Sequence, residues 1–170
     1  MVRLADRRSA ALSMSALNSR LPTLKSRKGK TLPAEKSARG QIMARIRSKD
    51  TRPEKVVRQI LFAMGYRFRI HRKDLPGCPD IAFLSRKKAI FVNGCFWHQH
   101  PGCARATLPA TNQAYWLPKF KRNKQRDDRI IKELAQRHWK VLTIWECKTG
   151  KRDELQATLQ RFLGSRRYQP

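Results

Sequence analysis

Cys95, His98, His100 and Cys103 fall within nine residues of one another in the stretch NGCFWHQHPGC, residues 93–103. Thiolate sulfur and imidazole nitrogen are the donors that tetrahedral zinc selects, so this density of both types points to a metal site. The competing reading makes Cys95 a small core residue and the histidines surface groups. Dense Cys and His runs recur as metal signals, which favours the site, and the spacing leaves both histidines as candidates. Cys147 ends an apolar run and offers a distant fourth ligand. Two aromatic side chains, Phe96 and Trp97, stand among these residues, where ligation gives them no role.

Hard cations require carboxylate oxygens instead. In PGCPDIAFL, Asp80 follows Pro79 and opens an apolar run, which places its carboxylate at a sheet edge. An Asp after a Pro is most often a turn residue. Glu54 lies three residues after Thr51, and a capping box accounts for it without any chemistry.

The elements that must position these groups follow from periodicity. DTRPEKVVRQILFAMG has Thr51 as N-cap, Pro53 in the first turn, Val56, Val57, Ile60, Leu61 and Met64 on one face, and Gly65 as a stop. YRFRIH alternates Tyr66, Phe68 and Ile70 with basic residues, the pattern of a half-buried strand. DIAFL and AIFVN, joined by SRKK, read as a hairpin. Trp116, Phe120, Ile130, Ile131 and Leu134 suit a long helix between Asn112 and Arg137, with Pro118 expected to delay its start. KVLTIWEC reads as a strand able to run parallel inside the sheet, and DELQATLQRFLG as a closing amphipathic helix. Pro-Asp at a strand start, an acid on the preceding helix and a following apolar strand outline a PD-(D/E)xK nuclease core. AIFVN departs from it, since it holds neither the acid nor the lysine of that motif.

The chain has 170 residues, with 39 Lys and Arg against 12 Asp and Glu. A net charge of +27 opposes compaction through self-repulsion and calls for a polyanionic partner, nucleic acid first. No long apolar run or basic helix with a sustained apolar face supports a membrane. The four cysteines follow no secretory signal, so metal ligands or free thiols are expected over disulfides, in an intracellular protein. Residues 1–40 carry +8 without hydrophobic period and are expected to form a flexible, dispensable basic arm. Their Arg-rich, Ser-rich composition also suits a transit peptide or an upstream start codon. The folded domain is expected over 41–165, keeping most of the positive charge, with a short tail at 166–170.

MARIRSKDTRPE, FRIHRKDLPGCPDI, IFVNGCFWHQHPGC, PATNQAYW, NKQRDDR and VLTIWEC, in this order, closely resemble the very short patch repair (Vsr) DNA mismatch endonucleases. The resemblance spans about residues 41–148. It implies an α/β, restriction-endonuclease-like fold with a mixed central sheet flanked by helices and a structural zinc. It also implies Mg²⁺-dependent nicking of one strand, 5′ of the thymine in a T:G mismatch left by deamination of 5-methylcytosine. The implied partner is double-stranded DNA, with mismatch-repair proteins as further candidates, for a monomer at the bacterial nucleoid in the cytoplasm.

The same resemblance assigns residues. Cys95, His100, Cys103 and Cys147 match the zinc ligands, which leaves His98 catalytic with Asp127 orienting it, a chemically sound pairing because a carboxylate fixes the imidazole tautomer. Asp80 matches the magnesium ligand, helped by the backbone carbonyl of Val92, and Glu54 the residue that holds metal-bound water. Phe96, Trp97 and Trp116 match wedges that enter the base stack from the major groove, and Met43 and Ile46 match residues entering from the minor groove. Unstacking is cheaper at a mismatch, so insertion contributes to selectivity.

Two positions depart from the family. Asn93 stands where relatives can carry a second active-site histidine; it cannot shuttle a proton and is expected to be auxiliary, through hydrogen bonding. Cys78 replaces a common Arg and is expected not to bind zinc. Two other functions fit the same residues: a zinc-stabilised DNA-binding protein that has lost cleavage, and a nuclease of this fold acting on other DNA.

Overall fold

The computed structural model describes residues 49–165. The first helix, α1 (Arg52–Ala63), opens as the capping box requires: the Glu54 amide donates to Thr51 Oγ1, while Glu54 Oε1 accepts from the Thr51 amide at 3.3 Å. Its buried face presents Val57, Ile60 and Leu61. Strand β1 (Arg69–Ile70) is shorter than the alternation of Tyr66, Phe68 and Ile70 suggests. Tyr66 and Phe68 instead pack edge-on against Phe83 from irregular backbone, and Ile70 is 45 % exposed. Aromatic burial, rather than ladder pairing, decides the conformation there.

The hairpin forms as expected from β2 (Ile81–Phe83) and β3 (Lys88–Asn93), antiparallel with Ile81 opposite Ile90 and Ala82 opposite Ala89. Helix α2 (Gln113–Gln136) starts ahead of Pro118 rather than after it. Trp116 and Phe120 flank that proline and stack on each other within a buried aromatic cluster, so packing holds the first turns although one ladder bond is missing. From α2 the chain returns through β4 (Lys140–Trp145), parallel to β3 over its whole length, and ends in α3 (Arg152–Leu163). A long crossover helix is what a parallel pair requires.

The sheet has the order β1-β2-β3-β4 and is covered on both faces. Strand alternation sends Ile81, Phe83, Ile90 and Ile144 into one core with Val57 and Leu61 of α1 and Leu155, Leu159 and Leu163 of α3. Ala82 and Ala89 point the other way, toward Leu134 and Ile130 of α2. The C-terminal carbonyls of α3 are held by basic side chains: Lys88 Nζ donates to Phe162 O at 2.7 Å and Arg86 to Leu163 O at 2.9 Å. Among the described residues no helix is long and apolar enough to cross a membrane.

Gly77, in the turn leading to Asp80, locks that turn against α2. Its φ is +72°, and an added Cβ would meet the Ile130 side chain at 2.5–3.0 Å. Gly77→Ala is therefore expected to destabilise the fold by about 2 kcal/mol, from backbone strain plus overpacking, and a thermal melt reads the loss directly.

Candidate active site

The β2–β3 hairpin, the N-terminal turn of α1, the 93–98 loop and the middle of α2 surround a cleft of ≈ 810 Å³. Asp80, Glu54, His98, Asp127, Asn93 and Val92, which lie far apart in sequence, all line it. Asp80 sits just before β2 with its side chain 19 % exposed, and its Oδ2 accepts from the Val92 amide at 2.7 Å across the hairpin. Burial pushes this carboxyl up to about 6, against the Val92 N–H, while the nearby Glu54 charge pushes the same way as burial. A cation facing Oδ1 would favour the ionised form, so a partly desolvated carboxylate with one bonded and one open oxygen fits a hard divalent ion.

Glu54 is buried, at 2 % exposure, and its carboxylate accepts four hydrogen bonds. Thr51 Oγ1 donates at 2.8 Å and the Thr51 amide at 3.3 Å to Oε1; the Asp50 amide at 3.1 Å and Arg58 Nη2 at 2.6 Å donate to Oε2. Arg58 also reaches Asp50 Oδ1 at 2.6 Å through Nη1, and its hydrogen bond is the main cause holding that carboxyl below its usual range. His71 completes the group, with Nε2 3.2 Å from Arg58 Nη2 and Nδ1 4.0 Å from Asp80 Oδ1. Asp50, Arg58 and His71 escaped the sequence reading. Arg58 lies one helical turn after Glu54, which is a visible signal; His71 joins them only through the fold.

The 93–98 loop and α2 supply the second chemical unit. His98 Nδ1 hydrogen-bonds Asp127 Oδ2, and Arg126 lies 3.5 Å from the other Asp127 oxygen. Asn123 Nδ2 donates to the Trp97 carbonyl at 2.9 Å and ties the loop to the helix. With its Nδ1 proton given to a carboxylate, the imidazole keeps Nε2 as a proton acceptor.

Behind the loop, Cys95, His100, Cys103 and Cys147 bring four donor atoms within 4.8 Å of one another, and no described cysteine forms a disulfide. Cys95 Sγ is 3.7 Å and Cys147 Sγ 3.4 Å from His100 Nδ1. Tetrahedral zinc, with Zn–S of about 2.3 Å and Zn–N of about 2.0 Å, places sulfur and nitrogen about 3.5 Å apart, so the cluster fits that ion. Trp145 stacks on the His100 ring at 4.2 Å and fixes its plane. Cys78 lines the cleft and is no member of the cluster.

The aromatic side chains expected to enter the base stack pack on one another. Phe96 packs edge-on against Trp97, Trp116 and Phe120, with centroids 5.2–5.4 Å apart, and Trp116 is only 7 % exposed. Rings that can bury against one another do so in water. Phe96 and Trp97 remain half-buried, and Lys119 Nζ lies 5.0–5.5 Å from the centroids of Trp97, Tyr115 and Trp116. Met43 and Ile46, like the arm and tail at 1–40 and 166–170, lie outside the described residues.

A mixed sheet between helices, with a desolvated aspartate and a histidine–carboxylate pair at one cleft of a strongly basic chain, is the arrangement of a DNA endonuclease of restriction-endonuclease-like architecture. Residues 33–105 match the family profile described as DNA mismatch endonuclease Vsr. The chain is 49 % identical over 125 residues to the Type II nicking enzyme V.XorIIP of Xanthomonas oryzae pv. oryzae, covering 74 % of this chain and 91 % of that protein. It is 36 % identical to the Type II nicking enzyme V.NmeAIP of Neisseria meningitidis, over 75 % of this chain and 90 % of that one. With the DNA mismatch endonuclease Vsr of Escherichia coli it shares 38 % identity over 71 % of this chain and 77 % of that protein. The chain belongs to the Vsr family of DNA mismatch endonucleases.

Proposed function

We propose that this endonuclease nicks one strand of duplex DNA on the 5′ side of the thymine in T:G mismatches produced by deamination of 5-methylcytosine, and so starts their repair. The observation that carries the reading is the His98–Asp127 pair in one cleft with Asp80, in a chain 38 % identical to a relative named as a mismatch endonuclease.

Asp80, with the backbone carbonyl of Val92, would hold Mg²⁺. When bound, that ion would polarise the scissile phosphate and offset its developing charge. Glu54 fixes negative charge beside Asp80 and, with the ion present, would hold water next to it. His98, oriented by Asp127, accepts the proton of the attacking water at Nε2, and Asn93 donates a hydrogen bond to phosphate or water. Cys95, His100, Cys103 and Cys147 would hold a structural zinc, which would keep His98 and the adjacent rings in one register. Phe96 and Trp97 insert at the mismatch with Trp116 supporting them, joined by Met43 and Ile46 from the other groove. The protein acts as a monomer at the nucleoid, with mismatch-repair proteins as candidate partners and residues 1–40 as an auxiliary basic arm. The similarity to enzymes named only as Type II nicking enzymes favours a second reading, nicking in another DNA context.

Mg²⁺ and end-labelled duplexes carrying T:G, A:T or G:C at one site within a cytosine-methylation context separate these readings. A nick only beside the T:G thymine is the expected product; equal nicking of all three favours the second reading, and binding without cleavage rejects both. Asp127→Asn tests the pair within this assay. It preserves shape but presents the wrong partner to Nδ1–H, so the nicking rate is expected to fall at least about a hundredfold with DNA affinity unchanged.

A further inference from the structure

His71 and Arg58 occupy the space between the two carboxylates of the cleft, and no part of the mechanism above uses them. The imidazole reaches this place because His71 adopts a left-handed backbone, φ +47°, directly after β1. A non-glycine residue held there carries strain, and such strain persists where surrounding contacts impose it. The ring is 15 % exposed, with Nε2 against Arg58 Nη2 at 3.2 Å and 3.7 Å from Glu54 Oε2, and Nδ1 toward Asp80. A guanidinium only donates, so Nε2 is the acceptor in this contact. The ring proton then lies on Nδ1, on the Asp80 side.

Arg58 in turn joins Asp50 and Glu54 through separate nitrogens at 2.6 Å each. Its Nε is buried with no hydrogen-bond partner, so the guanidinium is held by its two carboxylates rather than along its stem. The arrangement runs Asp50–Arg58–Glu54 on one side and Arg58–His71–Asp80 on the other. Asp50 and Glu54 are thereby bonded to Arg58, and His71 Nδ1 stands 4.0 Å from Asp80 Oδ1, before any cation arrives.

We propose that His71 and Arg58 are positioning residues for the divalent-ion site, setting the Glu54–Asp80 separation from the protein side; this rests on the reading of Asp80 and Glu54 as the groups that serve the ion. Groups behind metal ligands typically change metal affinity 10- to 100-fold when removed. His71→Phe keeps the ring volume and removes both nitrogens. His71→Gln restores an acceptor toward Arg58 and a donor toward Asp80.

Mn²⁺ binding to the full-length, zinc-replete protein without DNA, followed by electron paramagnetic resonance, gives a readout independent of turnover. His71→Phe and Arg58→Met are expected to weaken Mn²⁺ binding about tenfold, with zinc content unchanged and His71→Gln close to wild type. In nicking assays the Mg²⁺ half-saturation should rise and kcat fall, while KM for DNA stays within about twofold of wild type. Wild-type Mn²⁺ affinity in His71→Phe would overturn the proposal, as would a His71→Gln variant as weak as His71→Phe. Arg58→Met removes a buried cation; should it fail to fold, the two His71 variants decide. If wild type binds Mn²⁺ yet nicks no T:G duplex, the substrate reading fails while the Mn²⁺ comparison still tests the positioning pair; if wild type binds no Mn²⁺ yet nicks the T:G duplex, the positioning proposal alone fails.

Discussion

Asp80→Asn is expected to abolish nicking and at the same time to raise the melting temperature of the protein at pH 8. Both effects come from one feature, a carboxylate kept partly out of water. The loss of activity follows from removing the anionic oxygen proposed to serve the divalent ion, whose stabilisation of transition-state charge would be worth several kcal/mol, or at least about three orders of magnitude in rate. The gain in stability follows from linkage. Burial raises the folded carboxyl from 3.8 to about 6, so between those pH values the folded protein holds a proton that the unfolded chain has released. Stability therefore falls as pH rises through that window, and the full penalty persists above it. Discounted for its partial exposure, the shift corresponds to about 2 kcal/mol. Asparagine still accepts from the Val92 amide and carries no charge, so the variant should melt roughly 6 °C higher at pH 8, and the difference should vanish near pH 4. Added Mg²⁺ should stabilise the wild type alone. A variant melting no higher than wild type at pH 8 would show that Asp80 is not desolvated as described.

The second large effect lies at the other end of the loop. Cys147→Ser is expected to remove one equivalent of zinc, lower the melting temperature by more than 10 °C and eliminate nicking. Cys147 follows β4, whereas Cys95, His100 and Cys103 sit in the 95–103 loop, so a zinc ion held by these four would link loop and sheet. Binding free energy at a structural zinc becomes folding free energy, commonly several kcal/mol or more. Without it Cys95 is a buried thiol pushed up to about 11 by desolvation, and His98 is held beside Asp127 only by the Asn123 hydrogen bond to Trp97 and the packing of Phe96 on α2. Cys78→Ser is the control and should retain stoichiometric zinc. Elemental analysis and a melt on both variants check this; a Cys147→Ser protein that keeps its zinc would remove Cys147 from the ligand set.

Local signals in the chain determined much of this protein. The α1 capping box, the hairpin, the long helix and the parallel return strand are short-range patterns of periodicity and capping, and they reappear in the structure with shifted ends. The dense Cys and His cluster pointed to a metal site, and three of its members, Cys95, His100 and Cys103, meet in space together with the distant Cys147. Tertiary structure decided what depends on long-range competition. Pro118 was outweighed by the packing of Trp116 and Phe120, and Tyr66 to Phe68 gave up strand pairing for burial against Phe83. The family resemblance gave His98 and His100 different roles, and the fold gives the two rings different neighbours: Asp127, 29 positions away, meets one, while Cys147, 47 positions away, meets the other. His71, Arg58 and Asp80 lie in different elements with no shared period. Only closure of the sheet against α1 makes them neighbours, because electrostatics and desolvation act through space and leave no spacing in the sequence.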